Sequence, residues 1–220
     1  MNLSDAKPAG QFATSTGFKS IIYGAPGSAK TPLISTCPRP FMLICEPGML
    51  SMRGSNVPAY EAYSGAKIDE FFEWWFKSTE TKNFDTLAID SASQMADIYL
   101  QDAQKTNKHG LAAYGEMAEK VIKQLRPLFF QPQKHCYIIC KQTVEDGIKK
   151  PYFLGKQLPT EVPHLYDAIL HLGIHNVPQM GQVLSFQCRQ SYDIVARDRS
   201  GRLNEYEPPD FSLLLGKAMS

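Results

Sequence analysis

The stretch GAPGSAKT, residues 24–31, decides which fold this chain is expected to take. It follows the phosphate-binding loop pattern G-x-x-x-x-G-K-[ST] except at the second glycine, where Ala29 stands. The apolar segment FKSIIY before it predicts a strand, and a short helix is expected to begin at Lys30 and to stop before Pro38. A strand, a glycine-rich turn and a helix form an anion site, because backbone N–H groups and the helix dipole point at the phosphates.

The loop supplies the residues expected to bind a nucleotide. Lys30 would reach the β- and γ-phosphates, and Thr31 would ligate Mg²⁺. Ala29 carries strain of about 1 kcal/mol if its φ is positive, and Pro32 lacks an N–H donor. A chance glycine turn and a loop that binds nucleotide but hydrolyses it poorly are the alternatives. The expected cofactor-binding residues are Gly24, Ala25, Pro26, Gly27, Ser28, Ala29, Lys30, Thr31 and Pro32.

Polar residues end three further apolar segments. Asp90 ends FDTLAID, Glu46 ends FMLICE and Gln142 ends HCYIICKQ. A carboxylate at the tip of a buried strand beside the loop can hold Mg²⁺ through water, which is the role expected for Asp90. Glu46 could polarise the attacking water as general base, and Gln142 could sense the γ-phosphate. The alternatives are a helix N-cap formed by Asp90 or Ser91, which is compatible with the metal role, a solvated acid at position 46 and a surface glutamine at position 142.

Composition places the chain among globular proteins of one domain. Its 220 residues suffice to bury a core, and 43% of them are hydrophobic. The net charge of +1 lacks the basic balance typical of tight nucleic-acid binders. The five cysteines include no CxxC pair, and the polar start has no secretory signal. Since no apolar run approaches the ~20 residues that span a bilayer, a reducing, cytoplasmic location without membrane contact is expected.

Apolar strands alternate with helical patterns along the chain. Strands are expected at 18–24, 41–46, 84–91, 135–143 and 167–172, and helices at 68–77, 93–105 and 112–130. This alternation predicts an α/β fold with a mostly parallel sheet flanked by helices. The alternating segment GQVLSFQCRQSYDIVARDRSGRL predicts a C-terminal antiparallel hairpin with a turn at 199–201. Residues 1–16 are expected to form an N-terminal segment, 17–220 one domain, and 144–164 a long loop.

The order GAPGSAKT, LICEPG, LAIDS and IICKQT resembles the core of RecA-type ATPases. The stretches HGLAAYGEMAEKVIKQLRPLFF and ARDRSG followed by NEYEPPDFSLLL are similar to compact phage-encoded RecA-like ATPases. These include Sak-type single-strand annealing proteins and phage nucleotide-binding proteins of the AAA type. The resemblance covers residues 17–216 and implies a RecA-like P-loop NTPase core that uses ATP and Mg²⁺. It implies that Lys30 and Thr31 contact phosphate and Mg²⁺. It also makes Asp90 the Walker B acid, Glu46 the catalytic base and Gln142 the γ-phosphate sensor.

The resemblance further implies a homo-oligomer, either a ring or a filament. Arg197 and Arg199 resemble the basic pair on a C-terminal hairpin that reaches a neighbouring subunit's nucleotide in RecA and KaiC relatives. Such arginines would stabilise charge in the transition state and make hydrolysis depend on assembly. The alternative is a solvated hairpin tip.

Two loops fall at positions where RecA faces DNA. They are QKTNKHGL (104–111) and TVEDGIKKPYFLGKQLP (143–159). Basic residues interleaved with aromatic residues suit single-stranded nucleic acid, because cations follow phosphates and rings stack on bases. Ordinary solvated loops are the alternative. The residues expected to contact nucleic acid are Lys105, Lys108, Lys149, Lys150, Tyr152, Phe153 and Lys156.

These patterns favour an ATP-binding and ATP-hydrolysing protein that acts on single-stranded DNA in phage recombination or annealing. A phage single-strand-binding protein is a further candidate partner. The alternatives are a nucleotide-binding accessory or switch protein of phage replication with weak or no hydrolysis, and a degenerate P-loop scaffold. His171 and His175 lie four residues apart at a strand end, where a metal site has little support. Trp74 and Trp75 suit packing in an amphipathic helix.

Overall fold

The computed structural model of the chain describes residues 6, 8, 10, 11, 17–107 and 109–220, so Lys108 and most of the predicted segment 1–16 lie outside it. The strands are β1 Lys19–Tyr23, β2 Pro40–Ile44, β3 Ala59–Glu61, β4 Thr86–Asp90, β5 His135–Cys140, β6 Gln142–Glu145, β7 Ile148–Pro151, β8 Ala168–Val177, β9 Gly181–Gln187, β10 Arg197–Asp198 and β11 Tyr206–Glu207. The α-helices are α1 Gly65–Lys77, α2 Ala92–Thr106, α3 Gly110–Phe130, α4 Gln157–Leu165 and α5 Phe211–Ala218, and short 3-10 helices span Pro32–Thr36, Met49–Met52 and Thr79–Asn83.

Nine of these strands form one sheet with a parallel centre. Strands β3, β2, β4, β5, β1 and β8 lie side by side in that order, and each adjacent pair is parallel. Strands β9 and β11 extend the sheet as antiparallel neighbours, and β10 pairs with the start of β8. Parallel strands end at one edge of a sheet, so the segments that follow β1, β2, β4 and β5 meet there.

Alternate residues of the central strands belong to two cores, one on each face of the sheet. Ile21 and Leu87 lie in the core that also contains buried residues of α1 to α4. Their neighbours Ile22 and Ala88 lie in the second core, which contains buried residues of α5 and of the 3-10 helix at 32–36. The two-residue period of a strand therefore places helices on both faces, as the sequence predicts.

The C-terminal helix α5 supports the phosphate loop through one tyrosine. Asp210 caps α5 by accepting hydrogen bonds from two backbone N–H groups of its first turn. The fully buried Phe211 packs against Tyr137 with ring centroids 5.0 Å apart, and its N–H donates to Thr36 Oγ1 at 2.8 Å. The Tyr137 hydroxyl then donates to the carbonyl of Lys30 at 3.0 Å. Helix α5 thus supports the phosphate loop indirectly, through its contact with Tyr137.

The segment after the phosphate loop differs from the prediction. Instead of a helix from Lys30 to the residue before Pro38, a five-residue 3-10 helix follows, with Pro32 at its start. Pro38 and Pro40 come soon after it and cannot supply N–H groups to extend a helix. A single short turn carries little macrodipole, so the loop itself must provide most of the attraction for an anion.

The prediction of a long loop at 144–164 is wrong. Strands β6 and β7 form an antiparallel hairpin that turns at Asp146 and Gly147, and α4 follows it. Both turn residues have positive φ, 51° and 78°, which is the geometry that an Asp-Gly pair favours. Strand β8 also continues to Val177, beyond the expected end at Leu172. Among the helices in the described part of the chain, none is long and apolar enough to cross a membrane.

Candidate nucleotide-binding site

The segment 24–31 joins β1 to the first 3-10 helix at the carboxyl edge of the sheet. Gly27 and Ala29 have left-handed φ values of 79° and 66°. Ala29 therefore carries the backbone strain that its place in the pattern predicts, about 1–2 kcal/mol. At Gly24 the constraint is space, because a Cβ there would lie 2.2 Å from the carbonyl oxygen of Leu172 on β8. Only glycine lets the loop leave β1 this close to the neighbouring strand.

Four backbone N–H groups of the loop are available to an anion. Those of Gly27, Ala29, Lys30 and Thr31 have no hydrogen-bond acceptor within the residues that the structure describes. Clustered, unpaired N–H groups are the usual means by which a glycine-rich loop binds phosphate. These N–H groups compensate for the weak dipole of the short 3-10 helix that follows the loop.

The side chain of Lys30 folds back onto its own loop. Its ammonium donates to the carbonyls of Gly24 at 2.8 Å and Ala25 at 2.9 Å, and lies 3.3 Å from Ser28 Oγ. Burial lowers the pKa of Lys30, and two nearby carboxylates act in the opposite direction. Each of these oxygens occupies a donor position of the ammonium that a phosphate oxygen could take.

Thr31 and Asp90 meet as the pattern predicts for a magnesium site. Thr31 Oγ1 donates to Asp90 Oδ2 at 2.5 Å. Asp90 is 5% exposed, and burial raises its pKa while the hydrogen bond from Thr31 lowers it. Carboxylate and hydroxyl oxygens are ligands that Mg²⁺ prefers, and a cation would offset the cost of a buried carboxylate. The residues at this position therefore fit Mg²⁺.

Glu46 lies beside Asp90 on the neighbouring strand end. Strands β2 and β4 pair in parallel, and the N–H of Glu46 donates to the carbonyl of Asp90 at 3.2 Å. The hydroxyl of Ser91 donates to Glu46 Oε1, and the Lys141 ammonium lies 3.6 Å from the same oxygen. The Ser91 hydroxyl and the Lys141 ammonium together hold the Glu46 carboxylate in one place. The peptide bond between Asp90 and Ser91 is cis.

One cavity of about 410 Å³ collects these groups. Its lining includes the phosphate loop, the ends of β2 and β4, and Gln142. Its volume lies in the range of about 300–1,000 Å³ that is usual for small-molecule sites. The structure therefore brings Lys30, Thr31, Glu46 and Asp90 together around a single space, as expected from the order of the strands.

Two side chains that line the cavity and bond to other residues of its wall, those of Lys141 and Ser91, are absent from the predicted site residues. Lys141 lies in the cavity wall near Glu46, and its ammonium donates to Gln94 Oε1 at 2.8 Å. Ser91 lines the cavity and binds Glu46. Ser91 follows Asp90 in the sequence, and Lys141 precedes Gln142. Both would have been found by including the residues adjacent to each predicted strand-end residue.

Arg197 and Arg199 lie away from this cavity within the chain. Strand β10 pairs with the start of β8, whereas the phosphate loop follows the end of β1. Arg197 donates to the carbonyls of Pro163 and Tyr166, and Arg199 to that of His164. The guanidinium groups thus satisfy carbonyls at the C-terminal end of α4. Arg197 is half-buried and Arg199 is exposed, and the catalytic role of the two arginines across a subunit boundary stays a prediction.

One surface groove is lined by Leu111, from the first segment predicted to face nucleic acid, and by several residues of the second segment. This groove of about 470 Å³ is lined by Leu111 and Tyr114 at the start of α3 and by Tyr152 and Lys156 after β7. Leu111 is 90% exposed, and Tyr114 and Tyr152 are 40% and 36% exposed. An apolar and aromatic surface beside a lysine is therefore accessible.

Other residues of these segments are placed differently from the prediction. Phe153 is 4% exposed and belongs to the core, so it cannot stack on a base, and its predicted contact with nucleic acid is wrong. Lys108 lies outside the described residues. Three predicted lysines are each paired with a carboxylate: Lys105 with Asp102, Lys149 with Asp193 and Lys150 with Glu145.

Fold and site together define a P-loop NTPase architecture, since a phosphate loop, its lysine and threonine and a buried strand-end aspartate share one cavity. The chain belongs to the AAA_24 family, described as an AAA domain, whose model matches residues 16–200. The predicted α/β fold of the P-loop class, with a mostly parallel sheet flanked by helices, is thereby confirmed. No curated protein matches the chain. Among solved structures, the KaiC-like protein PH0186 from hyperthermophilic archaea Pyrococcus horikoshii OT3 is similar, at 11% identity over 81% of each chain with a TM-score of 0.49.

Proposed function

We propose that this protein hydrolyses ATP with Mg²⁺ and that single-stranded DNA stimulates the reaction, as in phage recombination or annealing. The observation that carries the enzymatic part is the convergence of Lys30, Thr31, Asp90 and Glu46 on one cavity. A scaffold that had lost catalysis would have no need to keep both acids beside the loop. The retained pair therefore supports hydrolysis over a degenerate site.

The cavity residues divide into those that hold the nucleotide and those that act on water. Mg²⁺, when bound, neutralises charge on the β- and γ-phosphates. Thr31 and Asp90 offer the oxygens that hold it. The Lys30 ammonium exchanges its loop carbonyls for phosphate oxygens and stabilises the negative charge of the transition state. Backbone N–H groups of the loop hold the remaining phosphate oxygens.

Glu46 is the residue placed to accept a proton from the attacking water. Hydrogen bonding from Ser91 and the nearby Lys141 ammonium fix its carboxylate at the cavity wall. A base fixed in this way reacts without first being oriented. Gln142 lines the same cavity, from which its amide can contact the γ-phosphate.

The strained loop favours a second candidate function, a nucleotide-binding switch with slow turnover. Ala29 holds a left-handed φ of 66°, and only a five-residue 3-10 helix follows the loop. Both features weaken attraction for phosphate compared with a glycine and a long helix. This candidate predicts ATP binding with little effect of DNA on turnover.

The groove between α3 and the segment after β7 supports the proposed contact with single strands. Tyr114 and Tyr152 expose ring surface there, and Lys156 adds a cation. Stacking on aromatic rings is independent of base sequence and contributes about 1–3 kcal/mol per base. Homo-oligomerisation into a ring or filament, which would bring Arg197 and Arg199 towards a neighbour, remains part of this proposal.

Hydrolysis is tested by ATP turnover and by titration calorimetry with ATP and Mg²⁺. Lys30→Ala is expected to abolish binding, and Glu46→Gln to retain binding and lose at least about a hundredfold in turnover. Glu61→Gln, an exposed strand-end acid on the adjacent β3, is the matched control and should behave as wild type. Wild-type turnover in Glu46→Gln would exclude the assigned base.

DNA dependence is tested by measuring turnover and particle size with and without an oligo-dT strand at several salt concentrations. Stimulation at low salt that falls steeply as salt rises is expected, because counterions are released on binding. Tyr114→Ala with Tyr152→Ala should reduce the stimulation, whereas Tyr192→Ala, which is 92% exposed outside the groove, should not. Absence of any stimulation at low salt contradicts the proposal and favours the switch.

A further inference from the structure

Two buried histidines lie behind Gln142, and the proposed reaction gives them no task. His171 and His175 are 6% and 7% exposed. Both belong to β8, on the same face of the strand. A Cβ on the intervening Gly173 would lie 2.9 Å from the His171 ring, so this glycine lets the ring lie along the strand towards His175.

Three hydrogen bonds connect Gln142, the two histidine rings and Ser185 in one chain. Gln142 Oε1 lies 3.0 Å from His171 Nε2, and His171 Nδ1 lies 2.8 Å from His175 Nε2. His175 Nδ1 lies 2.8 Å from Ser185 Oγ on β9. This chain of hydrogen bonds therefore runs from Gln142 at the cavity wall to Ser185 on the antiparallel strand β9.

The Gln142 end sets the direction of every hydrogen bond in this chain, because the Ser185 hydroxyl at the other end can either donate or accept. A glutamine Oε1 only accepts, so His171 Nε2 must donate and His171 Nδ1 must accept from His175 Nε2. His175 Nδ1 then accepts from the Ser185 hydroxyl. Burial lowers the pKa of His171 to about 4 and lowers that of His175, so both rings are neutral at pH 7 and each carries one proton.

We propose that His171, His175 and Ser185 form a positioning relay that holds Gln142 Oε1 and so turns the Gln142 amide N–H groups towards the γ-phosphate. The proposal rests on ATP hydrolysis at the cavity described above. Without the relay, the amide of Gln142 can rotate by half a turn and present an oxygen to an anionic phosphate, which repels it. The histidines act through Gln142 and do not touch the nucleotide.

A double-mutant cycle tests whether His171 acts through Gln142. His171→Phe keeps a ring and removes both nitrogens, and Gln142→Leu removes the amide. Each should lower kcat about tenfold with KM changed less than about twofold, as for loss of one hydrogen bond to a charged group in the transition state. The double variant should be no slower than Gln142→Leu alone. His135→Phe, a half-buried histidine at the start of β5, is the matched control and should keep the wild-type kcat. Multiplicative losses in the double variant would overturn the relay.

The tautomers of the wild-type protein give a readout that needs neither turnover nor a variant that folds. ¹⁵N-detected NMR at pH 7 should show His171 and His175 both protonated at Nε2 and not at Nδ1, and a proton on His171 Nδ1 overturns the proposal. If wild type shows no hydrolysis while both rings show the expected tautomer, the proposed function fails and the hydrogen-bond direction stands. If wild type hydrolyses ATP and the cycle is multiplicative, the relay alone fails.

Discussion

Replacing Ala29 by glycine should stabilise the protein, although the change removes a methyl group. Ala29 has a φ of 66°, where a Cβ costs an L-residue about 1–2 kcal/mol. Glycine avoids this cost but gains freedom in the unfolded chain that is worth about 0.4–1 kcal/mol in the other direction. The difference is a net stabilisation of about 0.5–1 kcal/mol, or a rise in Tm of about 1–4 °C for a chain of this size.

A second position in the same loop serves as the reciprocal control. Gly27 has a φ of 79°, and a Cβ built there meets nothing within 4 Å. Gly27→Ala therefore adds backbone strain without a clash, and it should lower the free energy of unfolding by about 0.5–1 kcal/mol. The two variants should shift stability by similar amounts in opposite directions.

Thermal and urea unfolding without nucleotide are the appropriate assays, because ligand binding would add its own stabilisation. An unchanged m value is needed to attribute a shifted midpoint to stability. Calorimetric titration should show ATP affinity equal or higher in Ala29→Gly. A lower Tm for Ala29→Gly, or a higher one for Gly27→Ala, would refute the argument that backbone strain dominates at this loop.

Three further changes test other parts of the structure. Gly24→Ala places a Cβ 2.2 Å from the Leu172 carbonyl oxygen. It should cost about 1–3 kcal/mol of stability and weaken ATP binding, so wild-type affinity by calorimetry would contradict the loop geometry. Arg197→Ala removes donors to the carbonyls of Pro163 and Tyr166. It should destabilise the isolated chain by about 1–3 kcal/mol, whereas a role only across subunits predicts an unchanged melting curve. Finally, burial lowers the pKa of His171 from 6.5 to about 4, with His175, Lys149, Lys30 and Asp193 as the charged or titratable neighbours that act on it. The unfolded chain then binds more protons, so the contribution of His171 to stability is full above pH 6.5 and is lost as pH falls towards 4. Urea midpoints across this window should fall less in His171→Phe than in wild type, and equal slopes would count against the assignment.

The order of the strand tips explains why the site could be predicted from sequence. Glu46 and Asp90 lie at the ends of apolar runs, and Lys30 lies in the loop after another such run. Parallel strands place the ends of these runs at one edge of the sheet. Gln142 follows β5 in the same way. Local pattern and sheet topology agree at these positions, so no knowledge of side-chain packing was needed to bring the four residues together.

Features that depend on proline or on tertiary packing were not predictable in the same way. Helix α4 contains Pro159 and Pro163, which conceal its pattern, although the Asp146-Gly147 pair before it is a recognisable hairpin signal. Phe153 has the composition of a binding loop but points into the core. The hydrogen bonds that connect Gln142 to Ser185 through His171 and His175 join three strands, and only the register of these strands brings the side chains within reach.

The contact of α5 with Tyr137 has a practical consequence for how the protein is handled. Phe211 supports the Tyr137 ring, whose hydroxyl donates to the Lys30 carbonyl, so a change in α5 is transmitted to the phosphate loop without direct contact. Variants that lack residues 211–220 should therefore be tested for nucleotide affinity before any conclusion is drawn from a loss of turnover.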